Sequence, residues 1–280
     1  MRKRYPSDLT DDQWAVVRPL LPATKPGGRP RTVDLREVLN TLFYQARTGC
    51  QWDYLPHDLL PKSSARDYFD AWQADGTWQR VVDALRGRVR KAAGRNETPR
   101  TACIDTQSVK TTEMGGERGY DAGKKVKGRK RHIVVDSLGL LLAVAVTSAA
   151  VDDGSAAPQV LQKLPAQQYP RLRVIWADQK YRNQALDSWL ERQRVRYRVA
   201  VVARPAGAKG FVLLPKRWVV ERSLAWLGRY RRLSKDYEYD TKVSETWVQI
   251  SAIHHMLRRC KPDTQREQPT FYAKLEKAVA

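Results

Sequence analysis

Cysteine is scarce in this chain of 280 residues, and what there is cannot cross-link it: Cys50, Cys103 and Cys260 are odd in number and far apart, with no Cys-x-x-Cys or mixed Cys/His spacing. That pattern excludes a disulfide framework and a zinc site and leaves three buried thiols. Long apolar runs are also missing. Nothing approaches the roughly 18 to 20 residues of a membrane-crossing helix. The opening MRKRYPSDLTDD has no apolar stretch of a secretory signal, so a cytoplasmic protein without a membrane partner is expected. Acidic residues are in deficit, 30 against 51 Lys and Arg, which gives a formal charge of +21. The pI of about 10.1 lies far from the charge balance of an ordinary cytosolic enzyme. A polyanion is the expected partner. Arginine carries much of the excess, and its planar fork pairs bidentately with phosphate oxygens, which favours nucleic acid over a small acidic substrate or a membrane surface.

What is present organises into two parts. A hydrophobic content of 42% and nine tryptophans supply material for one medium and one small core. The first ninety residues read as helices. Thr10 and Gln13 form a capping box ahead of Trp14, Val17 and Leu21. The run 33–48 places Leu35, Val38, Leu39, Leu42, Phe43 and Ala46 on one helical face, with Gly49 as its stop. Ser63 or Ser64 is the expected cap of a helix carrying Tyr68, Phe69 and Trp72, and a further helix follows Gly76. Short helices with tight turns are compatible with a helix-turn-helix module. The polar stretch 87–100 reads as a boundary. Beyond it the period changes to that of strands at TACIDTQS, KRHIVVDSLGLLLAVAVTS (two runs joined at SLG), LRVIWAD and YRVAVVAR, interleaved with the helical segments SAAPQVLQKL and DSWLERQR. That order implies an α/β domain with a mixed sheet, closed by a helix over about 244–260. The division is a helical domain at 1–95, an α/β domain at 96–262 and a polar tail at 263–280.

Three carboxylates stand out. Asp105 and Asp178 each sit where a short apolar strand gives way to polar residues, and Glu221 lies on an amphipathic, arginine-rich helix. Breaking or making a phosphodiester needs an activated nucleophile, a stabilised leaving oxygen and neutralised phosphoryl charge, and two Mg²⁺ ions serve all three needs. Mg²⁺ takes oxygen ligands and keeps waters, so a few carboxylates suffice. The chain between Asp105 and Asp178 is long enough for a hairpin and a crossover helix, which permits their strands to lie side by side. On a helical wheel Val219, Val220, Leu224, Trp226, Leu227 and Tyr230 share one side, and Arg217, Glu221, Ala225, Gly228 and Arg232 the other. Glu221 thus points away from the core, with Arg217 and Arg232 on the same face to meet phosphates.

The segments ACIDTQSVKT, GRKRHIVVDSLGLLLAVAVTSA, ADQKY and RWVVERSLAWLGRYRRLSKDYE resemble the DDE transposases of bacterial insertion sequences, of the insertion sequence five group, as do LTDDQWAVVRPLLP, GGRPR and SSARDYFDAWQADGTWQR. The likeness spans nearly the whole chain. It implies an RNase H-like catalytic domain with Asp105, Asp178 and Glu221 as catalytic metal ligands for Mg²⁺ or Mn²⁺. It further implies a preceding helical domain that recognises terminal inverted repeats in double-stranded DNA, transfer of the 3′-end into target DNA, and a homodimer or higher oligomer on DNA at the nucleoid. The broader superfamily carries a Tyr, Arg, Glu, Lys signature around the glutamate. Arg217 and Glu221 match it, whereas Leu214 and Gly228 replace the tyrosine and lysine, with Arg229 the nearest substitute for the latter.

Other residues have plainer readings. Lys127, Arg129 and Lys130, in the basic run 124–131, are expected at DNA phosphates or on a solvated edge. Arg217, Arg222, Arg229 and Arg232 around the glutamate are expected at DNA, and Arg29 and Arg31 in GGRPR resemble a minor-groove arm or form a helix-linking turn. Asp136 belongs to a hairpin turn, and Asp152 and Asp153 to a helix cap. His132 reads as structural, and His254 and His255 have no assigned role.

Overall fold

The computed structural model describes residues 2–24, 27, 31–202 and 216–260. Arg29, Leu214 and the 263–280 tail lie outside the described residues. Helix α1, Asp11–Val17, opens on the capping box of Thr10 and Gln13. Helix α2, Leu35–Thr48, is capped by Asp34 and stopped by Gly49, whose φ of 73° is left-handed. Helix α3, Lys62–Ala74, begins on Pro61 with no side-chain cap. Ser63 and Ser64 therefore fall inside its first turn rather than at its cap, because the fixed φ of proline starts the helix earlier.

Helix α4, Thr77–Ala92, corrects the expected linker, since Gly87, Val89 and Arg90 are buried helical residues. The apolar stripe Val81, Leu85, Val89 simply continues. Its polar interruptions find partners: Arg86 Nη1 bonds Asp83 at 2.6 Å, and Arg90 Nη1 bonds Asp136 at 2.5 Å. Within the helical part α4 is nearly surrounded, while α3 keeps Lys62, Ser63, Arg66, Asp67 and Asp70 exposed.

The sheet comprises β1 (Thr101–Lys110), β2 (Gly119–Asp121), β3 (Val126–Asp136), β4 (Leu141–Ser148), β5 (Val174–Ala177) and β6 (Arg198–Val201). Its order is β2-β3-β1-β5-β6, with β4 also on β3. The β1/β3, β2/β3 and β3/β4 pairs are antiparallel, and β1/β5 and β5/β6 are parallel. This is the mixed sheet that the strand pattern and the resemblance imply. Strand β2 was not foreseen, being too short to carry a period. Helices α5 (Asp153–Leu161) and α6 (Gln184–Gln193) cover one face, and α7 (Trp218–Leu227) and α8 (Thr241–Cys260) the other.

Successive strand side chains point to opposite faces. Ala102 and Ile104 join Val134, Ala143, Ile175, Val160 and Leu186 in one core cluster. Cys103 joins Val135, Leu141, Val144 and Val220 in the other, which also holds Leu39, Phe43, Phe69, Trp78, Leu85 and Trp247. The N-terminal helices and the sheet thus share a core, with α8 between them. Cys103 is buried, but Cys50 and Cys260 are only half-buried, so the expectation of three buried thiols holds for one. Among the described residues no helix is long and apolar enough to cross a membrane.

Candidate active site

Strand register brings two of the three carboxylates together. Cys103 pairs with Trp176 across the parallel β1/β5 ladder, and both pack into the core cluster on the α7 side. Asp105 is two residues beyond Cys103, and Asp178 two beyond Trp176, so the period of two puts both on that same face. Strand β5 ends at Ala177. Strand β1 runs on to Lys110, which places Asp105 in mid-strand rather than at a strand end; it is the neighbouring strand that stops there.

Each aspartate has one oxygen fixed by backbone. Asp105 Oδ1 accepts the N–H of Thr106 at 2.7 Å, and Asp178 Oδ1 accepts that of Lys180 at 3.0 Å. Burial raises the pKa of Asp105, opposed by the Thr106 N–H and the charge of Arg217.

The third carboxylate arrives on α7, which is clamped to the β3/β4 hairpin. Gly139, at φ 79°, lies so close that an added Cβ would stand 2.7 Å from Ser223 Oγ and 2.9 Å from the Trp226 ring. Ser223 Oγ donates to the Gly139 carbonyl at 2.8 Å. Asp136 in the same turn accepts from the N–H groups of Leu138 and Leu140, each at 2.9 Å, besides meeting Arg90. It is a turn residue, as expected, and also the tie to α4. With α7 fixed, Glu221 projects outward and stays exposed, as the wheel predicts.

Arg217, at the N-cap of α7, faces all three. Its Nη2 lies 3.4 Å from Asp105 Oδ2, 3.9 Å from Asp178 Oδ2 and 3.8 Å from Glu221 Oε1. Arg217, expected at a DNA phosphate, makes internal contacts here. Nε of the same guanidinium is buried without a hydrogen-bond partner. Lys216 Nζ sits 3.9 Å over the Trp176 ring, and its carbonyl accepts from Cys103 Sγ at 2.9 Å, so the residues leading into α7 are tied to both strands.

The donor set is one a hard divalent cation accepts: oxygen only, gathered about a positive centre. Its spacing is that of a guanidinium. Among the described residues no three Asp, Glu, His or Cys side chains stand close enough to hold an ion as placed. Metal–oxygen bonds of about 2.0 to 2.6 Å are shorter than the 3.4 to 3.9 Å at which these carboxylates stand around the Arg217 nitrogen. The chemistry fits, and the residue in the way is Arg217.

Much of the basic set turns inward. Arg129 is fully buried against Asp236 at 3.1 Å, and Lys130 meets Asp153 at 3.0 Å. Asp152 caps α5 as expected, whereas Asp153 is this buried ion-pair partner. Arg222 lies between Trp218 and Trp226, at 4.4 and 4.6 Å from their centroids. Arg232 pairs with Glu238 at 2.6 Å. These four correct the reading of surface phosphate contacts. Arg31 is half-buried and donates to the Pro22 carbonyl at 3.1 Å, while Lys127 and Arg229 are exposed.

His132 is structural, with Nε2 2.9 Å from Thr147 Oγ1. Tyr181 was missed. Its hydroxyl is buried without a partner, and burial, reinforced by Asp105, Asp153 and Asp178, holds its pKa well above the usual range. Its place three residues after Asp178 in ADQKY was the available signal.

A mixed sheet covered on both faces, with two aspartates on adjacent parallel strands and a glutamate on a facing helix, defines the class: an α/β domain with a carboxylate triad. The chain belongs to the transposase DDE domain family, whose model matches residues 96–257. A second model, described as "Putative transposase of IS4/5 family", matches 9–82. Two relatives come from Burkholderia cepacia. The "Putative transposase for insertion sequence element IS402" is 35% identical over 131 residues, 44% of this chain and 60% of the relative. The "Insertion element IS402 uncharacterized 16.2 kDa protein" is 29% identical over 119 residues, 40% of this chain and 78% of that one. The match thus spans less than two thirds of the first of them. DDE transposase domains use divalent metals.

Proposed function

We propose that this chain is a DNA transposase of an insertion sequence, cutting at the terminal inverted repeats of its element and joining the freed 3′-ends to target DNA. The observation that carries this is the convergence of Asp105, Asp178 and Glu221 on one cationic nitrogen in a chain of the DDE family. In this reading the three carboxylates hold Mg²⁺ or Mn²⁺, two ions in the working complex, which when bound activate the attacking oxygen and stabilise the departing one. The backbone bonds to Oδ1 of Asp105 and Asp178 leave Oδ2 of each turned inward, so two of the ligands are oriented before anything binds. In hydrolysis a water oxygen bonds to the phosphorus at the element end, the P–O3′ bond breaks, and the 3′ oxygen takes a proton. In transfer that 3′-hydroxyl loses its proton to solvent and bonds in line to a target phosphorus, while the target P–O3′ bond breaks and the departing 3′ oxygen takes a proton from solvent.

Double-stranded DNA is the partner, held in part by exposed Lys127 and Arg229 through phosphate contacts that carry no sequence information. Pairing of two ends calls for a dimer or higher oligomer on DNA, at the nucleoid. The test is strand cleavage and joining on a labelled duplex built from the DNA flanking the gene, with Mg²⁺ or EDTA, for the wild type and Asp178→Ala. Metal-dependent cleavage and joining, lost in the variant while DNA binding survives, is the expected result. Binding without cleavage in either protein would instead mark a DNA-binding relic, and cleavage without joining a nuclease.

A further inference from the structure

We propose that Arg217 is an exchangeable counter-ion of the carboxylate triad: it occupies the cation position until a divalent metal takes it, and a DNA phosphate receives the displaced guanidinium. The proposal rests on reading Asp105, Asp178 and Glu221 as the metal site.

Three carboxylates drawn together without a cation repel one another and tend to take up protons. Arg217 removes that penalty, yet it does so loosely. Its three contacts, 3.4 to 3.9 Å, all lie beyond the usual range of a charge-assisted hydrogen bond. Its Nε bonds to nothing although buried. One partner, Glu221, has a side chain 44% exposed, so the cluster opens to solvent on the α7 side. A well-bonded arginine elsewhere in the same fold shows what the chain builds when it means a cation to stay. Arg129 makes bonds of 2.6 to 3.1 Å to Asp236 and to the carbonyls of Glu117, Glu238 and Tyr239.

Guanidinium and metal exclude each other at the triad. A divalent ion needs the carboxylate oxygens at about 2.0 to 2.6 Å, and the space between them is where Nη2 stands. A divalent ion cancels two of the triad's three negative charges and takes its inward oxygens, so the guanidinium loses its contacts and a second positive charge stands beside it. A phosphodiester at the site is an anion of the geometry a guanidinium fork accepts. Metal and DNA therefore assist each other through one side chain, and linkage requires the assistance to be mutual.

The test measures Mn²⁺ affinity by the electron paramagnetic resonance of free Mn²⁺, with calorimetry in parallel, and needs no turnover. The full chain is used as wild type, Arg217→Gln, Arg217→Lys and Asp178→Asn, each with and without a short duplex of arbitrary sequence, subtracting a duplex-only blank. Without DNA, Arg217→Gln is expected to bind Mn²⁺ about tenfold more tightly than the wild type, with Arg217→Lys between them. Duplex should tighten the wild type by a similar factor and Arg217→Gln much less. Equal or weaker binding by a folded Arg217→Gln overturns the proposal, as does an equal DNA effect in both proteins. Should Arg217→Gln fail to fold, Arg217→Lys decides in its place, and an affinity and DNA response identical to the wild type overturn the proposal. Asp178→Asn separates the two readings: if it leaves wild-type Mn²⁺ affinity unchanged, the metal site itself is misplaced, whereas loss of Mn²⁺ in Asp178→Asn with no gain in Arg217→Gln rejects the counter-ion alone.

Discussion

Two inward-facing arginines set two regions of this molecule apart. Around Arg129, strand β3 meets the segment 236–244 in a closed network. Its guanidinium is bonded to Asp236 and three carbonyls, and Ser244 Oγ adds bonds of 2.7 and 2.8 Å to the same carboxylate. Around Arg217, three carboxylates share Nη2 at longer distances, and Nε of the same guanidinium is left unbonded. The first arrangement holds tertiary structure in place. The second stores charge that a ligand can rearrange. Basic residues that look alike in the sequence divide, once folded, into fasteners and ligand-responsive groups.

The largest effect is expected on the loose side. Asp178→Asn should lower metal-dependent strand cleavage at least about a thousandfold, since several kcal/mol of charge stabilisation depend on the triad. Its urea midpoint should match or exceed the wild type, because one repelling charge is gone. A variant that loses activity only by unfolding would erase the contrast. Next comes the tight side. Arg129→Met leaves Asp236 buried and unpaired and should cost about 3 to 5 kcal/mol in urea unfolding, against about 1 kcal/mol for Arg217→Gln. Equal losses would mean that both arginines are fasteners.

A smaller effect separates the regions by pH. Burial lowers the pKa of His132 to about 4, with Asp153 and Lys130 nearby in opposition. That folded value lies below the unfolded value of about 6.5, so the unfolded chain binds the proton first. Stability from this group is complete above the unfolded value and is lost as pH falls from there toward the folded one, by about 1 kcal/mol per pH unit. Unfolding titrations at successive pH values should show this slope in the wild type and a flatter one in His132→Gln. The smallest effect belongs to residues outside both regions. Lys127→Ala and Arg229→Ala should each reduce the slope of log K against log[salt] for DNA binding by about 0.9, with no change in the urea midpoint.

Local signals in the sequence carried much of this. Capping residues at Thr10 and Gln13, the stripe from Leu35 to Ala46 and the strand runs all stand within a few residues of the structure they specify. The three carboxylates that the structure gathers about Arg217 stood out for a different reason: few residue types offer hard oxygen ligands, and the family motifs bracket all three. Burial across long separations was not legible. Arg129 and Asp236 are 107 positions apart and Arg217 and Asp105 112, so nothing local distinguishes either arginine from one at the surface. The polar stretch after Gly87 looked like a linker because the acid that neutralises Arg90, Asp136, lies 46 positions away.

Helix α8 has a consequence in time. It packs Trp247, Ile250, Ile253 and Leu257 into the core that α2, α3 and α4 share with the sheet. Those N-terminal helices leave the ribosome long before Thr241–Cys260 is made, and until then their apolar faces lack the wall they fold against. Until residues 241–260 have been made that apolar surface has no native partner, and contacts of such long sequence separation close slowly. Helix α7 packs into that same core, so Glu221 can join Asp105 and Asp178 only once residues 218–260 have been made.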